Sequence, residues 1–291
     1  MDIIERNLKQ HLRVLCDEIG SRSILEGHRL RRAQDYIHGQ FAEMGLEIRV
    51  QDYQAQGTST SNLIANLLDS DPAAPYLLVG AHYDTVPGTP GADDNASAVA
   101  VLLETARILA PAMHPTPAQV LFAAFSTEEP PSFSTGDMGS RVFIRSLPGM
   151  EISVEGALIL EMVGFFSDQS GSQKIPLPLK LMNFPDTGHF IAIVGNGNSR
   201  PLIKRVSTGI RDSGCGLPVE SLAVPGSGRL LPEVRLSDNA SFWDAGIPAV
   251  MITDTSFFRN PHYHCPTDTP ETLDFRKMAQ LVLGLSHVLG G

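Results

Sequence analysis

Several runs of this chain are apolar at every position, too short to be helices, and end on or just before a histidine or a carboxylate. Residues 76–82 read Tyr-Leu-Leu-Val-Gly-Ala-His, residues 120–125 read Val-Leu-Phe-Ala-Ala-Phe ahead of Ser-Thr-Glu-Glu, and residues 157–161 read Ala-Leu-Ile-Leu-Glu. An unbroken apolar run of this length is a strand covered on both faces, as in a parallel sheet. Further strands are expected at 46–54, which alternates like an edge strand, and at 61–68, 189–194 and 247–252. Helical spacing of apolar residues falls between them, over 2–19, 27–44, 95–109, 138–146, 199–213, 239–244 and 271–289. Thr269 is the expected N-cap of the last helix, with Pro270 at its first position. Such alternation predicts an α/β fold with a mixed, mostly parallel β-sheet sandwiched by α-helices. No stretch reads as a linker, so residues 1–291 are expected to form one catalytic domain.

Charge narrows the partners. Lys and Arg number 22 against 32 Asp and Glu, a net −10 with no basic run. Nucleic acid and anionic membrane are therefore poor partners and none is expected, while a cationic or amine-bearing ligand is attracted. No stretch reaches the roughly 18–20 apolar residues that span a bilayer. The opening residues lack a secretion signal, and Cys16, Cys215 and Cys265 form no paired pattern, so a cytoplasmic location is expected.

In an open α/β sheet, ligands bind outside the carboxyl ends of the strands. Those ends carry His82 with Asp84, Asp93-Asp94-Asn95, Glu128-Glu129, Glu161 and His262-Tyr263-His264. Two histidines with three or four carboxylates suit zinc and exceed what one ion needs. Asp84 lies two residues after His82 along a strand, where its carboxylate can fix the imidazole through the far nitrogen. The Asp93-Asp94 turn can cap a helix or offer one oxygen to each of two cations. Adjacent Glu128 and Glu129 repel unless a cation sits beside them; Glu129 is assigned to metal and Glu128 to the general base. Cys265 is a further possible ligand. The scattered histidines His28, His38, His114, His189 and His287 are assigned to surface or core.

Taken in order, the motifs His-Tyr-Asp-Thr-Val, Gly-Ala-Asp-Asp-Asn-Ala-Ser-Ala, Ser-Thr-Glu-Glu, Leu-Glu-Met-Val-Gly, Ser-Asp-Asn-Ala-Ser-Phe-Trp and Tyr-His-Cys-Pro-Thr-Asp-Thr resemble the co-catalytic di-zinc aminopeptidases, metallopeptidase family twenty-eight. Glutamate carboxypeptidase and glutaminyl cyclase are relatives in that group. The similarity runs from about residue 60 to 275. It implies two Zn2+ per chain, one held by His82, Asp94 and Glu161 and the other by Asp94, Glu129 and His264. By the same resemblance Glu128 is the general base, Asp84 orients His82, Tyr263 stabilises the oxyanion, and the Asp94–Asn95 peptide is cis. The implied reaction is hydrolysis of the N-terminal peptide bond of a peptide or amino-acid amide with a free amino group. A di-zinc carboxypeptidase or deacylase is the alternative, requiring an arginine in reach, with Arg229, Arg235 and Arg259 as candidates. Glutaminyl cyclase is another. Glu161 stands where aspartate is more usual, Asn239 where histidine is common, and Cys265 where threonine is common. Segment 130–137 is expected to border the cleft, and loops 166–187 and 225–237 to shape the side-chain pocket. Side-chain preference and oligomeric state are not encoded in any pattern.

Overall fold

The computed structural model describes residues 1–66, 74–110, 119–150 and 152–290. The eight strands are β1 (Glu47–Ala55), β2 (Thr58–Asn66), β3 (Tyr76–His82), β4 (Gln119–Phe125), β5 (Val154–Glu161), β6 (Ile191–Gly195), β7 (Val219–Ala223) and β8 (Ala249–Thr253). They form one sheet in the order β1-β2-β4-β3-β5-β8-β6-β7. β3 lies at its heart, parallel to β4 on one side and β5 on the other, and β5 is parallel to β8. The β1–β2, β2–β4 and β6–β8 pairs are antiparallel. The sheet is therefore mixed, and the expected α/β architecture is the one observed.

Helices α1 (Asp2–Leu12), α2 (Gly27–Glu43), α3 (Ala98–Leu109), α4 (Gly139–Met150), α5 (Arg200–Asp212), α6 (Asn239–Asp244) and α7 (Phe275–Gly290) cover both faces. Alternation along β3 sorts its side chains between them. Leu77, Val79 and Ala81 join the core under α1, α2, α3, α5 and α7, whereas Tyr76 and Leu78 join the core under α4 and α6. At Gly80 an added Cβ would lie 2.7 Å from the Phe125 ring, so only glycine lets that ring close over the strand.

Several boundaries differ from the sequence expectation. The first helix continues beyond α1 as a wider turn, Arg13–Ile19, before Gly20 breaks it at φ 80°. α3 starts at Ala98 because Asp94 and Asn95 hold non-helical angles. Thr269 and Pro270 open only a short turn, Pro270–Thr272; Leu273 is extended. α7 then begins at Phe275, with the Asp274 carboxylate accepting from Lys277 N at 3.0 Å. β7 had no clear apolar signal because it is the opposite edge strand, where Glu220 and Ser221 are half-exposed or exposed. Residues 67–68 of the expected second strand, and His114, lie outside the described residues.

Because β3, β4, β5 and β8 run in parallel, their carboxyl ends share one edge. His82 and Glu161 are the last residues of β3 and β5, and Glu128 and Glu129 follow β4 by three and four positions.

Candidate metal centre

That edge brings the imidazole and carboxylate groups into two clusters that share Asp94. His82, Asp94 and Glu161 form one, and Asp94, Glu129 and His264 the other, with ligand atoms within 4.8 Å of each other in each. His82 Nε2 lies 3.5 Å from Asp94 Oδ1 and 3.4 Å from Glu161 Oε2. His264 Nε2 lies 3.1 Å from Asp94 Oδ2 and 3.3 Å from Glu129 Oε1. One carboxylate thus turns one oxygen to each histidine.

These spacings fit zinc. Ligand bonds of about 2.1 Å at tetrahedral angles put ligand atoms about 3.4 Å apart. His82 Nε2 is also buried without a hydrogen-bond partner, a costly state that a cation would relieve. The electrostatics agree. Burial first, then Asp94, push Glu129 up to about 8, against the lowering effect of His264. Burial likewise holds Glu128 well above the carboxylate range, reinforced by Glu129 and Glu161 although His82 opposes it. Burial works to lower His82, but Glu161 and Glu128 hold it well above its ordinary value. So many buried acids in one place call for cations.

Two further carboxylates hold the scaffold. Asp84 accepts from the backbone N–H groups of Glu128 and Glu129, at 3.0 and 3.1 Å, with Oδ1 3.4 Å from His82 Nδ1. Asp268 does the same for Asp93 and Asp94, at 2.9 and 3.1 Å. Each acidic pair is therefore fixed through its own backbone by a buried acid from a distant segment. Across the cis Asp94–Asn95 peptide, Asn95 donates to Leu160 O at 3.1 Å and accepts from Met162 N at 2.9 Å. It grips the chain on both sides of Glu161. Thr127, Met162 and His264 all have positive φ, 57°, 48° and 56°, beside or at the clustered residues. A left-handed non-glycine residue costs on the order of 1 kcal/mol and persists only where its surroundings enforce it.

Not every candidate enters the clusters. Asp93 turns away, accepting from Gly164 N and Asn260 Nδ2 and facing Asp254, and burial plus that neighbour hold it well above the carboxylate range. His262 bonds Thr267, and the Cys265 thiol points to Tyr263 O. Asn239 donates to Val234 O at 2.9 Å, buttressing loop 225–237 rather than the clusters. Tyr263 stacks on His264 with ring centroids 3.8 Å apart and lines the adjoining pocket with Glu161. Arg259 is committed to Gln173 and Phe190 O and packs on the Phe190 ring. Arg229 and Arg235 sit together in a second pocket.

Sequence reasoning missed Ser237, whose hydroxyl donates to Glu161 Oε2 at 2.6 Å, and Asp238, wholly buried and pushed up to about 7 by burial despite His82. It also missed Asp268 and Arg22. Arg22 is fully buried beneath Asp84, Asp94 and Asp268. Ser237, Asp238 and Asp268 stood inside motifs that carried the resemblance but were given no role there, and Gly-Ser-Arg-Ser carries no signal that separates it from a surface turn.

Known proteins share this arrangement of chain. The chain is 37% identical over 290 residues to the uncharacterized protein YfbL of Escherichia coli K12, covering 97% of this chain and 86% of that protein. It spans about half the length, or less, of other curated relatives that it matches. The Legionella pneumophila LapA aminopeptidase superposes with a TM-score of 0.76 at 20% identity, over 99% of this chain and 71% of that one. The Fimbriiglobus ruber glutaminyl cyclase superposes with a TM-score of 0.70 at 20% identity, over 99% and 94%. At such identities the two structures establish a common fold. The profile described as peptidase family M28 matches residues 62–288, most of the chain and every clustered residue, and the chain belongs to that family.

Proposed function

We propose that this protein is a two-zinc aminopeptidase that hydrolyses the N-terminal peptide bond of a peptide or amino-acid amide. The observation that carries the reading is Asp94, which presents one oxygen to each of two histidine–carboxylate clusters. His82 and Glu161 would complete one zinc site, Glu129 and His264 the other. Bound there, zinc supplies Lewis acidity, drawing the pKa of a water towards 7 and polarising the scissile carbonyl.

Glu128 belongs to neither cluster, yet its Oε2 lies 3.8 Å from His82 Nε2. That makes it the side chain free to take a proton from the attacking water and return it to the departing amine. Its backbone is fixed by Asp84, so the carboxylate is aimed rather than mobile. The Tyr263 hydroxyl, which burial pushes far above its ordinary pKa, stays protonated and donates to the developing oxyanion. The surplus carboxylate charge holds the substrate ammonium. Beside Glu161 and Tyr263 opens an apolar pocket lined by Phe190, Leu231, Val234, Met251, Phe257 and Phe258. It suits an apolar side chain on the N-terminal residue, and residues from both 166–187 and 225–237 line it.

The test is Glu128→Gln, assayed on leucine p-nitroanilide with metal content measured alongside. Removing a general base should lower kcat by about 10²- to 10⁴-fold while zinc content stays at the unsubstituted level. Wild-type turnover by the zinc-loaded variant would refute the assignment.

A further inference from the structure

A second pocket, about 280 Å³, lies against the clusters and is used by none of the chemistry above. Its walls include Phe133 and Ser134, Arg141 of α4, and Arg229, Arg235 and Ser237 of the loop before α6. Two bonds tie it to the centre. The Phe133 N–H donates to Glu129 O at 3.2 Å, and Ser237 donates to Glu161 Oε2 at 2.6 Å.

The charge there runs against the rest of the cleft. Arg141 and Arg235 share one carboxylate, Asp244, at 3.3 and 2.7 Å, and Arg229 is exposed. Arg141 Nε is buried without a hydrogen-bond partner. Arg235 is further held by Ser227 O at 2.6 Å and by the Trp243 ring, 5.9 Å from its guanidinium carbon. Three guanidinium groups against one acid, in a chain of net −10, form a local site for an anion. The planar fork of a guanidinium matches a carboxylate with two parallel hydrogen bonds.

Position identifies which part of a substrate meets it. A base that returns its proton to the departing amine must have the departing residue on its own side. The chain leaving Glu128-Glu129 turns directly into Phe133 and Ser134, whereas the apolar pocket lies beyond Glu161 and is separated by the shared wall residue Leu236. We propose that the arginine pocket receives a carboxylate on the residue C-terminal to the scissile bond. The favoured substrates are then dipeptides, whose second residue carries the free α-carboxylate, or peptides with Asp or Glu at that place. This proposal rests on the aminopeptidase reading.

Matched substrates test it with the zinc-loaded protein. Leu-Gly is compared with Leu-Gly amide, and Leu-Glu amide with Leu-Gln amide. The expected result is a kcat/KM at least tenfold higher for the acid in one pair, and which pair responds tells the α-carboxylate from the side-chain one. Arg229→Gln, an exposed position, should shrink that ratio several-fold. Ratios near one in both pairs overturn the proposal. If no substrate is cleaved, the aminopeptidase reading itself fails. Calorimetry with the reduced-amide forms of both pairs, Leu-Gly as free acid and primary amide and Leu-Glu amide against Leu-Gln amide, then decides the pocket: tighter binding of the acid in either pair supports it, and equal affinities in both overturn it.

Discussion

Arg22→Met would expose how much of the site depends on one buried cation. Arg22 is fully buried and donates five hydrogen bonds to backbone carbonyls: Nε to Tyr83 O at 2.9 Å, Nη1 to Leu15 O, Gly20 O and Pro90 O at 3.0, 3.0 and 2.7 Å, and Nη2 to Gly91 O at 2.9 Å. It therefore fixes the path from Asp84 towards Asp94. Methionine is apolar and of similar reach but donates nothing. Leu15 O and Gly91 O keep second partners in Gly20 N and Ala96 N. Tyr83 O, Gly20 O and Pro90 O lose the guanidinium. At about 1–3 kcal/mol for each buried polar group stranded, that is about 3–9 kcal/mol. Removing a charge from a buried site returns part of it, leaving an expected net loss of about 3–5 kcal/mol. Against a typical total of about 5–15 kcal/mol this is a large fraction. Urea denaturation followed by fluorescence of Trp243, the single tryptophan and 95% buried, reads it directly as a lowered midpoint at unchanged slope. Lysine has three donors on one atom and cannot serve acceptors this dispersed, so Arg22→Lys should lose about 2 kcal/mol. A methionine variant within about 1 kcal/mol of the wild type would refute the reasoning.

Three further outcomes follow from particular contacts. Glu104 ties α3 to α1 through Asn7 at 3.2 Å and His11, and pairs with Arg107 one turn along its own helix at 2.6 Å; burial works to raise its pKa, but those bonds win and bring it down to about 2. A depressed carboxylate contributes stability that is full above its unfolded value near 4.5 and is lost as pH falls towards 2. Glu104→Gln should therefore cost about 2 kcal/mol at pH 7, discounted for solvent at Arg107, and nothing near pH 2, checked by urea midpoints at both. At Gly139 an added Cβ would run into the Ser126 carbonyl oxygen and come within 2.5 Å of Asn62 Oδ1. Gly139→Ala should cost about 1–3 kcal/mol in thermal unfolding, as an overpacked site does, and lower activity through the segment that carries Glu128. The apolar pocket should favour leucine amide over alanine amide by about 1.5–3 kcal/mol of side-chain burial, a kcat/KM ratio of roughly 10 to 150.

The strands most legible in the sequence were those covered on both faces. β3, β4 and β5 announce themselves because burial allows no polar residue until the strand ends, where the site begins. His82, Glu129 and Glu161 were legible for the same reason, since a charge after an apolar run demands a partner, whereas Asp94 in a helix-opening turn and His264 in a loop were assigned to metal through the family resemblance. β7 was silent because its edge position tolerates glutamate and serine. Arg22, Asp268 and Asp254 were silent for a different cause. Apart from its local bonds to Leu15 and Gly20, Arg22 reaches 61 to 69 residues along the chain, Asp268 reaches 175 and Asp254 reaches 89, and no local pattern encodes such pairings. The residues alone did not separate Asp93 from Asp94; the resemblance named Asp94, and the Asp93 carboxylate faces Asn260. Arg229, Arg235 and Arg259 could be named but not placed, and only the fold sends the first two to the pocket and the third to the core.

The central claim is that Asp94 is shared by two cations. Zinc per chain, measured by mass spectrometry after dialysis against buffered zinc, tests it in the wild type and in Asp94→Asn, with Trp243 fluorescence confirming that the variant is folded. The account predicts two ions in the wild type and fewer than one in the variant, because both sites lose a ligand together. One ion in the wild type, or two still held by Asp94→Asn, would contradict it.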